Sequence, residues 1–156
     1  VNDPGAVAVL LLDHVAAHLT DPPARRYTSP GETAWDGDQL TCQMTSSYYG
    51  QPGRPLPGPT NDVNAGRLRV GVFEVEVVRC TPGPDDDGTP PGAAVLAAAA
   101  AAHLADFAGL CAALDELAFP GHSGNPLGTS AWAGPVTAKG PAGGYVSWTT
   151  TVHVGL

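Results

Sequence analysis

At 156 residues the chain has the length of one domain and can bury about two thirds of the surface its unfolded form exposes, so it needs no disulfide or metal to fold. A hydrophobic share of 43% excludes a disordered chain, and the 20 glycines and 16 prolines gather in a few stretches that predict long loops. Seven basic against fifteen acidic residues, a net charge of -8, exclude a cationic track along phosphates, although like charge suits a surface past which DNA must slide without sticking.

Asp3-Pro4 opens the first predicted helix, with aspartate as N-cap and proline in the first turn. Val7, Leu10, Leu11, Val15, His18 and Leu19 keep a helical period until Asp21-Pro22-Pro23 ends it. The apolar run from Val7 to Leu12 follows an acid and lacks a basic flank, so no secretory signal is expected. Residues 22–38 read as a loop carrying Trp35. From Asp38 to Tyr49, Leu40, Cys42, Met44 and Tyr48 alternate with Thr41, Gln43, Thr45 and Tyr49, the pattern of a half-buried strand. The stretch GQPGRPLPGPTNDVNAG, 50–66, is too rich in proline and glycine for regular structure and predicts a long arm or lid.

Arg67 to Cys80 is the strongest strand signal, with a phase slip near Gly71 that predicts a β-bulge or a strand that changes partners. An acidic, proline-flanked loop follows at 81–92. Ala93 to Phe119 predicts a long helix with Leu96, Ala100, His103, Phe107, Leu110, Leu114 and Leu117 on one face. Its alanine run, 97–102, is expected to let that face lie close to a sheet. Because His103 and Asp106 flank the run, no membrane span is expected. Pro120-Gly121 stops the helix, and strands over 129–138 and 143–156 close the chain. The order α-β-β-α-β-β predicts one α+β domain over 1–156. It would have two layers, a four-stranded, mainly antiparallel sheet with both helices on one face, and long loops at 50–66 and 81–92.

The chemical templates are met only in fragments. Gly121-His122-Ser123-Gly124 sits near the G-x-S-x-G turn of serine hydrolases, but a helix precedes Ser123 and no acid follows it, only His153. His14 and His18 share a helical face, yet no third metal ligand has informative spacing. Asp85, Asp86 and Asp87 are adjacent, whereas a calcium loop alternates its acids. Cys42, Cys80 and Cys111 have no paired spacing and are expected as buried free thiols of a reducing compartment. No catalytic residue, cofactor or metal is expected.

The segment FEVEVVRCTPGPDDDGTPPGAAVLAAAAAAHLADFAGL is a strand, a Pro/Asp loop and an Ala-rich helix. With the flanking DGDQLTCQMTSSYYG and GPAGGYVSWTTTVHVGL, it resembles small head-to-tail connection proteins of tailed actinobacterial phages over about 35–156. The element order resembles that of tail terminator proteins, which form a hexameric ring on the tail tube. The resemblance implies a non-enzymatic virion protein, present in the host cytoplasm during assembly. It would end tail-tube growth and dock a head-side connector or stopper while DNA passes through unbound. The two long loops, with Arg54, Leu56, Asp85, Asp86 and Asp87, would then be inter-subunit contacts. A stopper or adaptor of the same neck, a serine hydrolase built on Ser123, and a monomeric domain whose long loops hold a ligand are the alternatives.

Overall fold

The computed structural model describes residues 3–31, 34–55, 68–118, 123–129 and 131–156. Helix α1 spans Pro4–His18, capped as its sequence predicts, with the Asp3 carboxylate accepting from the Ala6 N–H at 3.0 Å. Seven strands follow the predicted alternation in part: β1 Arg25–Ser29, β2 Gln39–Gln51, β3 Arg54–Pro55, β4 Arg69–Cys80, β5 Ala131–Ala133, β6 Thr137–Ala142 and β7 Tyr145–Gly155, with helix α2, Ala93–Leu117, between β4 and β5. The fold is α+β with two helices and a mixed, open sheet in the order β1-β2-β4-β7-β5, where β3 pairs β2 and β6 pairs β7.

The expectation of four strands is therefore corrected to seven among the described residues. β1 falls inside the predicted loop 22–38 and runs parallel to β2, Arg25 opposite Gln39 and Ser29 opposite Gln43. Its five residues carry no alternating apolar pattern, because an edge strand buries little. β3 lies inside the stretch predicted to be irregular: a tight turn brings Arg54 and Pro55 back onto Gln51 and Gly50. Gly53 makes that turn with a φ of +77°. The remainder of that predicted loop, including Leu56, lies outside the described residues. The penultimate strand is broken into β5 and β6, which pair with opposite ends of β7.

The predicted irregularity lies beside Gly71, opposite Val72 and Phe73, but on the partner strand. β4 pairs β7 without interruption from Val70 to Cys80, and the extra residue lies on β2, between Met44 and Ser46. Gly71 is small for another reason: a Cβ there would come within 2.8 Å of the Phe73 ring.

One core cluster joins both helices to alternate positions of the sheet. α1 contributes Leu11 and Val15, α2 contributes Leu110, Ala113 and Leu117, and the strands contribute Leu40, Cys42, Phe73, Val75, Val77, Val152 and Val154. Of the cysteines, Cys42 is buried, and burial pushes its thiol up to about 12; Cys80 is exposed and Cys111 half-buried, against the expectation for those two. The opposite sheet face is polar yet partly covered. Trp35, from the connection between β1 and β2, reaches that face and donates from Nε1 to Glu76 Oε2 at 3.1 Å. Thr41 and Thr149 on that face are buried.

The close helix approach occurs at Gly109 and not at the alanine run. A Cβ on Gly109 would stand 2.6 Å from the His18 carbonyl oxygen at the end of α1. Gly109→Ala is expected to destabilise the protein by about 1–3 kcal/mol through this overlap, although alanine is the better helix former by about 1 kcal/mol. Urea denaturation reads the sign directly; a raised midpoint would show that the helices separate freely.

Candidate functional site

α2 is longer than the layer it packs on. Twenty-five residues make a helix of about 37 Å, whereas the fifteen of α1 reach about 22 Å. The single predicted face therefore divides. Leu110, Leu114 and Leu117 enter the core, while Leu96 (47%) and Phe107 (37%) are exposed, as is Leu104 (62%), which the predicted face did not include. Positions 96, 100, 104 and 107 recur at helical spacing and form one apolar stripe, with Val95 beside it. The stripe runs into a groove of about 480 Å³ between α2 and β5, lined by Phe107, Cys111, Leu114, Trp132 and Val136. By length and composition α2 is long and apolar enough to cross a membrane, against the expectation from its flanks. Its second half nevertheless carries the core described above.

Side chains from the sheet hold the emerging half of α2 in place. Arg79 of β4 donates from Nε to Asp106 Oδ2 and from Nη2 to Asp106 Oδ1, each at 2.7 Å. The same guanidinium reaches Asp38 at 3.3 Å, and Asp38 accepts from the Cys80 N–H at 2.7 Å. Trp148 Nε1 donates to the His103 carbonyl at 2.7 Å, and the two rings stack at 4.6 Å. Phe107 leans on the same indole. The exposed stripe is thus presented on a fixed support.

The loop residues expected at contacts lie at opposite ends of the sheet. Arg54 sits beside the end of β2 that pairs with the start of β4, and Asp85, Asp86 and Asp87 follow the end of β4. Arg54 is exposed, as are the three aspartates. Asp85 braces its own loop, its Oδ1 accepting from the N–H groups of Asp87 and Thr89. Asp86 and Asp87 are left to face outward. Leu56 lies outside the described residues.

The structure does not join Ser123 to His153. Ser123 is exposed in the turn after α2. His153 lies on β7, where its Nδ1 is 2.9 Å from Tyr48 Oη and its ring meets Trp132 edge-on. His14 and His18, in contrast, gain a neighbour with no signal in sequence spacing: Glu116, 102 positions after His14, places its carboxylate 3.3 Å from His18 Nε2. The Pro120-Gly121 stop lies outside the described residues.

Burial lowers the pKa of His153 and, against the pull of Asp106, that of His103. Folding thus favours the neutral rings, so their contribution is complete above the ordinary value near 6.5 and is lost as pH falls below it. Melting temperatures measured from pH 7.5 to 5.5 are expected to decline below pH about 6.5, and His153→Gln to flatten the decline. A profile unchanged by that substitution would refute the assignment to His153.

The sequence matches no protein-family model and no curated protein. The surface that the geometry singles out is therefore judged on its physical properties: an exposed apolar helix stripe, a groove continuous with it, and loops at both ends of the sheet.

Proposed function

We propose that the protein is an assembly subunit of the tail terminator type. Copies form a closed ring, of six subunits by the resemblance, that caps a phage tail tube and receives the head-side connector or stopper. The observation that carries this reading is the apolar stripe Leu96–Leu104–Phe107, which the chain's own core leaves open. A water-facing row of large apolar side chains on a braced helix is stabilised when another subunit covers it.

Other features agree with this reading. Contact loops at opposite ends of the sheet suit a subunit that meets one partner above and another below. A net charge of -8 suits a conduit through which DNA slides. The exposed edge strand β6 carries Lys139 and Pro141, which discourage uncontrolled strand addition while leaving side chains for a defined neighbour. On this reading, α2, which lies over one face of the sheet, is the element that a neighbour in the ring would meet.

Mass photometry of the protein alone and with assembled tail tubes tests the proposal. A ring is expected in at least the second case, together with the chain in purified virions. A strict monomer in both mixtures and its absence from virions would sink the reading. A ring that binds the head connector but not the tube would favour a stopper or adaptor.

A further inference from the structure

We propose that His14, His18 and Glu116 form a binding site for one divalent transition-metal ion of the Zn²⁺ class, which clips the end of α1 to the end of α2. All three donor atoms lie within 4.8 Å of one another. His18 Nε2 stands 3.3 Å from Glu116 Oε2, and His14 Nε2 stands 3.8 Å from the same oxygen. Donors held tetrahedrally at about 2.0–2.2 Å from zinc are roughly 3.3–3.6 Å apart, so small rotations bring this set onto a common ion.

Protonation logic supports the assignment. His18 Nδ1 lies 2.9 Å from the His14 carbonyl, which can only accept, so Nδ1 carries the hydrogen. In a neutral ring this leaves the Nε2 lone pair aimed at the carboxylate, an arrangement that a cation between them relieves. The backbone bond to the far nitrogen also fixes the tautomer and ring angle, as in established histidine–metal sites. His14 Nε2 faces two acceptors, the Ala113 carbonyl at 2.9 Å and Glu116. Binding an ion requires it to give up the first. Ala113 lies within α2, where its carbonyl has a helical N–H partner without His14.

The site is accessible but sheltered. The side chains of His14, His18 and Glu116 are 7%, 21% and 32% exposed. Two imidazoles and one carboxylate leave a fourth position to water, and this donor set suits zinc better than calcium or magnesium, which take oxygens. The proposal does not depend on the ring reading, since it concerns a single chain.

Isothermal titration of tag-free, chelator-treated protein with Zn²⁺ tests it, alongside the absorption spectrum of the Co²⁺ form. One equivalent is expected to bind, with Co²⁺ bands typical of four-coordination. Melting temperature should rise by about 5 °C at a hundredfold excess over Kd. His18→Gln and Glu116→Gln, both at partly exposed positions and checked for folding by circular dichroism, should each weaken binding by at least about tenfold. Absence of saturable binding by the wild-type protein would overturn the proposal in favour of a proton shared between His18 and Glu116. Undiminished binding by both variants would overturn it by placing the ion elsewhere.

Discussion

Replacing Leu96 and Leu104 together with aspartate is expected to leave the chain folded and, on the proposed reading, to abolish assembly. Both side chains are largely water-exposed in the single chain, and neither belongs to the core cluster. Surface substitutions of this kind move stability by about 0.5 kcal/mol or less, apart from the small cost of aspartate within a helix. In an assembly that covers the stripe, the same changes remove two apolar contacts and bury two unpaired carboxylates. Each such charge costs several kcal/mol, and every 1.4 kcal/mol is tenfold in association. The loss per interface should therefore exceed about a hundredfold, enough to empty a ring at micromolar concentrations. Leu104→Ala should weaken assembly by a smaller factor, because it removes area without adding charge. Sedimentation velocity paired with thermal melting separates the outcomes. Rings that persist in the double variant would show that the stripe is not the interface.

The second large effect is expected at Asp106. Asp106→Ala should destabilise the domain by about 3–5 kcal/mol, a large part of the 5–15 kcal/mol available to an ordinary domain. The Asp106 side chain is 4% exposed and its partner Arg79 is 13% exposed, so removal leaves a guanidinium without its main counter-charge in a sheltered place. Asp38 remains beside Arg79 but is itself about half exposed, and it replaces only part of the lost interaction. Asp106→Asn keeps one acceptor and should cost less. Urea denaturation gives both values, and Asp86→Ala in the exposed loop supplies a reference near zero. A loss below 1 kcal/mol for Asp106→Ala would mean that Asp38 and water suffice.

These two sites differ in how far the sequence announces them. Arg79 and Asp106 each stand out as a charge next to an apolar run, but no rule of spacing pairs positions 27 apart on a strand and a helix. Leu96 is legible as a member of the predicted helical face, whereas Leu104 lies outside it. The periodicity of that face predicts burial, and the structure exposes Leu96, because periodicity says which residues share a face and not how far the supporting layer extends. Glu116 behaves likewise: the His14–His18 spacing is visible in the chain, and the third donor is not.

What the residues dictate locally is read correctly: the Asp3-Pro4 start of α1, β2 and β4 as strands, and the start of α2 at Ala93. Each follows from side-chain period, capping chemistry or backbone restriction within a few positions. The chain-distant arrangement follows other rules. β1 becomes a strand because β2 offers a free edge, β3 because a glycine turn folds it back, and the bulge shifts to β2 because packing, not the apolar phase of β4, decides where the extra residue goes. The outward half of α2 and the His14–His18–Glu116 cluster exist only once the two helices cross at Gly109. Local preferences are energies of single segments; edges, crossings and uncovered faces are properties of segments meeting, and they are settled when the chain packs.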